Sequence, residues 1–148
     1  MSNHSIKFFI PLQNVPITTH QQKKVRIVDG KPLFYESDDL KKARSIITDG
    51  LFVYGLQKKN RIKGNEIFQK GIPISLSVKW CFDGKKGNHS HGSYRLSKPD
   101  TDNLNKLLKD CMTSLGFWYD DAQVVEEHIG KNWSDIPGIW IECSSLLK

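Results

Sequence analysis

Five aspartates, Asp100, Asp102, Asp110, Asp120 and Asp121, fall within 22 residues of a chain that is otherwise basic. They belong to the stretch KPDTDNLNKLLKDCMTSLGFWYDDAQVVEE, residues 98–127. Carboxylate oxygens are the donors that a hard cation such as Mg²⁺ accepts. A cation so held can bind a phosphate oxygen, lower the pKa of an attacking water and stabilise the leaving oxygen. A lysine nearby offsets the charge that builds on the phosphate. The residue types therefore predict a metal site for phosphodiester hydrolysis. Asp100, Asp102 and one of Asp120 and Asp121 are the candidate ligands for Mg²⁺, with Mn²⁺ as a substitute. Side chains of adjacent strand residues point to opposite faces, so only one of the Asp120–Asp121 pair is expected at the site.

The spacing has plainer explanations as well. Asp102, Lys106 and Asp110 recur every four residues and share one helix face. As surface ion pairs they would contribute about 0.3–0.5 kcal/mol each. Acids at a helix start also complement its dipole, which accounts for Asp100 or Asp102 alone better than for both. Pro99 biases Lys98 to an extended backbone, so the first two acids stand at a loop-to-helix junction.

Charge is distributed unevenly. Residues 1–99 hold 18 Lys+Arg against 7 Asp+Glu, and residues 100–148 hold 4 against 9, within an overall net charge of +6. Either this is ordinary surface charge with a local excess, or it is a polyanion-binding surface around an acidic pocket. The length of 148 residues suits one domain, here taken as 1–148. No apolar run approaches the roughly 20 residues that cross a bilayer. The N-terminal residues lack the apolar core of a secretory signal, which points to a cytoplasmic protein with no membrane association. Cys81, Cys111 and Cys143 match no zinc spacing and are expected to be buried thiols.

The elements that must position the acids can be read from periodicity. Residues 6–12 form a first strand. Lys24–Val28 and Lys31–Tyr35 flank Asp29-Gly30, a hairpin signal. Ser37 caps a helix that runs to about Tyr54, with Leu40, Ala43, Ile46, Ile47 and Leu51 as its buried stripe and Gly50 as a weak point. Residues 57–70 are polar and basic, a solvated loop or a phosphate contact. Residues 72–82 alternate as a strand with Ile72, Ile74, Leu76, Val78 and Trp80 inward. Residues 83–98 read as a mobile loop.

Residues 101–115 form the clearest helix, with Leu104, Leu107, Leu108, Cys111, Met112 and Leu115 as its apolar stripe and Gly116 as its stop. Residues 122–129 and 138–144 close the chain as two strands. Trp80, Phe117, Trp118, Trp133 and Trp140 are expected in the core, with Trp118 and Trp133 also candidates for an interface. His89 and His91, flanking Ser90, are read as loop residues with a metal or general-base role as the minor alternative, and His128 as structural or exposed. The order predicts an α+β fold, a small mixed sheet with two main helices packed on it.

KPDTDNLNKLLKD followed by GFWYDDAQVV resembles the signature of the RusA family of Holliday junction resolvases. The resemblance is close over residues 98–125 and looser over the rest. It implies a homodimeric, Mg²⁺-dependent endonuclease that resolves four-way DNA junctions by paired nicks. It implies Asp100, Asp102 and Asp121 as the essential acids and Lys106 as the catalytic lysine; the role of Asp110 stays open. Branched DNA is the implied partner, bound through backbone and shape. Arg95 and Lys98, just before the acids, are the first candidates for phosphate contact, with Lys106 beside them. A two-fold dimer suits the approximate two-fold symmetry of a junction. Residues 58–70 and 84–98 depart from the family core, which leaves strict junction preference open. The alternatives are a broader nuclease of flaps and forks, or a non-catalytic junction-binding accessory protein.

Overall fold

The computed structural model describes residues 4–18, 24–56 and 66–146. In chain order the elements are β1 (Ser5–Pro11), β2 (Lys24–Val28), β3 (Lys31–Tyr35) and α1 (Asp38–Gly50), which continues as a π-helical segment over Leu51–Leu56. Then come β4 (Ile74–Asp83), α2 (Thr101–Ser114), a 3₁₀ turn (Asp121–Gln123), β5 (Val124–Ser134) and β6 (Gly138–Ser145). The class is the expected α+β. A four-stranded mixed sheet has the order β1-β6-β4-β5, and β2–β3 form a separate two-stranded sheet. All neighbours are antiparallel except β4 and β5. Parallel strands cannot be joined by a tight turn. The connection from β4 to β5 contains residues 84–98 and α2, so the crossover itself carries the acidic stretch.

The core follows from the apolar patterns. Ile74, Leu76, Val78 and Trp80 alternate along central β4 and are all buried. With Ile10, Ile139, Ile141 and Cys143 they meet Leu40, Ala43, Ile47 and Leu51 of the first helix and Leu104, Leu107, Leu108, Cys111 and Met112 of α2. Gly50, a weak point by propensity, packs against Ile10 of β1. A Cβ there would stand 2.4 Å from Ile10 Cγ2. Ser37 caps α1 as expected, its hydroxyl accepting from Leu40 N at 3.1 Å. The three cysteines are free and buried, and burial pushes the Cys143 thiol up to about 12. No helix among the described residues is long and apolar enough to cross a membrane.

Several expectations change. Trp80, Phe117 and Trp118 are core residues, but Trp140 is 45% exposed, with Phe9 at 4.9 Å between ring centroids. Ile72 lies outside β4. Asp121–Gln123 form a 3₁₀ turn, and β5 then runs five residues past the expected end at Ile129. Residues 84–98 are the loop read from their composition, with backbone hydrogen bonds to β5 that composition does not show. Gly92 N and Trp133 N donate to Trp133 O and Ser93 O, each at 2.8 Å, and Arg95 N donates to Lys131 O at 3.1 Å. This segment thus lies along the outer edge of β5. Lys58, Lys59, Arg61 and Lys63, the candidate phosphate contacts of the 57–70 stretch, lie outside the described residues.

Candidate active site

Asp100 is the N-cap residue of α2, with extended backbone at φ −75 and ψ 148. A cap carboxylate ordinarily accepts from an amide of the first turn. Asp100 makes no such bond. Its Oδ2 instead accepts from Lys98 Nζ at 2.9 Å. The helix thus presents this carboxylate rather than using it. Asp102 is exposed in the first turn. Lys98 has 82% of its side chain exposed, and Lys106 is exposed one turn beyond Asp102.

The chain leading into this end of the helix is held from below. Lys131 Nζ donates to Ser97 O at 2.8 Å and to Pro99 O at 2.9 Å. Between those two carbonyls, the Lys98 carbonyl accepts from the Arg95 guanidinium. Arg95 lies 4.2 Å from the Phe82 ring centroid and 4.9 Å from that of Trp133. His89 stacks on Trp133 at 3.9 Å and 2°. Burial lowers the Arg95 pKa. Arg95, a candidate phosphate contact by sequence, is therefore half-buried and engaged with its own chain. His91 accepts from Asp135 N at 3.0 Å, a structural role.

The second pair of acids divides its work. Asp120 caps the 3₁₀ turn, accepting from Ala122 N at 2.9 Å. Gln123 closes the capping box, its side-chain oxygen accepting from Tyr119 N and Asp120 N at 3.0 Å each. The Gln123 amide group donates to Gln69 O at 2.9 Å and Ile72 O at 3.0 Å, tying the turn to the strand entry of β4. Asp121 is left exposed. Partial burial raises its pKa first, then a hydrogen bond and repulsion from Asp120, with Asp110 adding and Lys109 opposing.

These interactions fix the relative placement of the acids. Lys131 reaches residues 97–99, Glu127 pairs with Asn105 at 2.9 Å and with Lys109 at 2.5 Å, and Asp121 senses Lys109 and Asp110. The helix thus runs antiparallel to β5. Asp102 and Asp110 are eight residues apart, about 12 Å along the axis. The structure brings Asp100 and Asp102 together at one end of α2 and places Asp121 toward the other, with Lys106 between. Among the described residues no three Asp, Glu, His or Cys side chains group closely enough to hold a metal ion.

Three residues of this framework escaped the sequence reading. Gln123 had a signal, because Asp-x-x-Gln is a capping-box spacing. Asn105 had a weaker one, as a polar residue buried beside the leucine stripe. Lys131 had none, since its partners lie more than thirty residues away.

A family model described as endodeoxyribonuclease RusA matches residues 14–144. A crossover junction endodeoxyribonuclease rusA from Lactococcus phage r1t is 35% identical over 119 residues, covering 80% of this chain and 82% of that protein.

Proposed function

Because the chain belongs to the RusA family and is a crossover junction endodeoxyribonuclease, we propose that it resolves four-way DNA junctions as a two-fold dimer that uses Mg²⁺. Asp100, Asp102 and Asp121 are the proposed metal ligands, and Lys106 is the proposed catalytic lysine. Their chemistry suits a hard cation, since all three acids offer oxygen donors. Their placement suits it in two halves, with Asp100 and Asp102 at one end of α2 and Asp121 toward the other. An antiparallel two-fold pairing of chains would lay the Asp121 end of one beside the Asp100–Asp102 end of its partner. Two complete sites would result, one for each nicked strand. Bound there, the cation would activate water and stabilise charge on the scissile phosphate.

The chain's own cations have separate tasks in this reading. Lys98 neutralises Asp100 in the free protein. When the carboxylate turns to a metal, the freed ammonium is available to a DNA phosphate. Lys106 stands between the half-sites, where a positive charge offsets charge growing on the phosphate. Arg95 supports the turn rather than the DNA. Contact with the backbone through lysines makes binding fall steeply with salt.

The single observation that carries the site reading is the Asp100 carboxylate, which occupies a capping position without capping. The test is cleavage of a mobile four-way junction and matched duplex, in Mg²⁺ or EDTA, by wild type and Asp102→Asn. Symmetric nicks in the junction alone, absent in EDTA and in the variant, are expected. Junction binding in Mg²⁺ without nicking would sink the metal-site reading. Equal cutting of duplex, or of flaps and forks, would replace junction preference with a broader nuclease activity.

A further inference from the structure

The turn that presents Asp100 is held by an arrangement of charge that the catalytic reading does not use. Three successive carbonyls, those of Ser97, Lys98 and Pro99, accept hydrogen bonds from two cationic side chains. Lys131 takes the first and third, and Arg95 takes the second. Pro99 has no N–H, so strand pairing cannot hold it through a donor of its own. Its carbonyl is the handle that remains.

Both cations are fixed in turn. The Arg95 guanidinium lies over the Phe82 and Trp133 rings, and its backbone N donates to Lys131 O at 3.1 Å. Lys131 thus grips the segment twice, by its carbonyl at Arg95 and by its ammonium at Ser97 and Pro99. Hydrogen bonds from charged donors are roughly twice as strong as neutral ones.

From this geometry we infer that Lys131, assisted by Arg95, is a positioning residue that sets the Asp100–Asp102 pair for metal binding and does not itself contact DNA. The inference rests on the reading of those two acids as ligands. Lys131 is part-buried with two acceptors on its ammonium, whereas Lys98 and Lys106 stand exposed beside the acids. A displacement of about 1 Å in such a site can cost on the order of 10²-fold in rate.

The experiment uses the full chain as wild type, Lys131→Met, Lys131→Arg and Asp102→Asn. Three quantities are measured: junction affinity in EDTA, single-turnover nicking as a function of Mg²⁺, and amide hydrogen exchange over residues 97–104. Lys131→Met is expected to slow nicking by about 10–10²-fold and to raise the Mg²⁺ needed for half-maximal rate. Amides of 97–104 should exchange faster, while junction affinity stays within about twofold of wild type. Lys131→Arg, which keeps a charged donor able to reach two carbonyls, should restore most of the rate.

Parallel loss of affinity and rate with unchanged exchange would make Lys131 a DNA contact and overturn the inference. So would unchanged rate and exchange in Lys131→Met. If Lys131→Met does not fold, the Arg variant decides: wild-type exchange with a slowed rate at every Mg²⁺ concentration would overturn the inference, and a restored rate would support it. Full activity in Asp102→Asn would instead remove the acid site beneath the inference, an outcome separate from an inert Asp102→Asn with an active Lys131→Met.

Discussion

The N-terminal end of α2 and the 3₁₀ turn beyond its C-terminal end both carry candidate ligands, but they hold them by opposite means. At the first, the capping position leaves its carboxylate outward, and the turn is fixed by Lys131 and Arg95 from the sheet side. At the second, Asp120 caps in the ordinary way, and Gln123 completes the box three residues later. One acid of that pair is thus engaged in structure so that the other, Asp121, is presented. The first half depends on tertiary contacts across more than thirty residues, the second on local geometry plus two bonds to the segment before β4. A loop-to-helix junction can therefore display an acid either by leaving the cap unmade or by doubling the acid and letting one copy cap.

The separation of the two halves gives the largest expected effect. Asp102→Asn and Asp121→Asn should each lose on the order of 10³-fold in junction nicking, comparable to loss of a principal electrostatic group. Mixed after co-refolding, they should recover single nicks. A dimer of the two variants would retain one site with both its acids, if each site draws Asp102 from one chain and Asp121 from its partner. No recovery in a verified mixed dimer would show that each chain completes its own site, and the two-halves arrangement would fall.

Gln123 sharpens the comparison at the level of stability. Gln123→Leu removes four hydrogen bonds and leaves the amides of Tyr119 and Asp120 without their acceptor. At about 1 kcal/mol per net bond, reduced by solvent at this exposed turn, the expected loss is about 2–3 kcal/mol. Urea unfolding reads it as a lower midpoint with unchanged slope. An unchanged midpoint would mean that water replaces these bonds at no cost.

A smaller contrast separates the aspartates at the two capping positions. Asp120→Ala loses a working cap and should cost about 1 kcal/mol. Asp100→Ala loses a carboxylate that caps nothing, so stability should stay within about 0.5 kcal/mol while nicking is abolished. Equal destabilisation in the two variants, measured by urea unfolding, would mean that Asp100 caps in solution after all.

The local half of this design was legible in the sequence and the tertiary half was not. Asp29-Gly30 marked the β2–β3 hairpin to the residue because a two-residue turn demands positive φ, seen at 51 and 73. Ser37 and the leucine stripe marked the helices because capping and 3.6-residue periodicity are local. Asp120 and Asp121 do part company, but through the capping box at Asp120 and not through strand alternation. Residues 84–98 looked free because their glycines and serines carry no apolar pattern. Their hydrogen bonds run to Lys131 and Trp133, and no window along the chain contains both partners. The distance between Asp102 and Asp121 was hidden for the same reason, since it follows from the antiparallel course of α2 on β5. Composition reports the charge of Arg95 without showing that its guanidinium lies over the Phe82 and Trp133 rings.

The smallest expected effect concerns Asp121 itself. Partial burial and the Asp120 carboxylate hold its pKa above the usual carboxylate value. An acid whose folded pKa is raised binds its proton more tightly in the folded state than in the unfolded one. Its contribution therefore favours the fold at low pH, declines as pH rises through the raised value, and is constant above it. Asp121→Asn should remove that decline and stabilise the protein at neutral pH by no more than about 0.5 kcal/mol, since the side chain is largely in water. Urea midpoints across pH 3–8 would show the variant above wild type at the upper end and merging with it at the lower. The opposite ordering would mean that Lys109 outweighs Asp120 and Asp110 at this carboxylate. The contrast between the two ends of α2 would then be one of scaffolding alone.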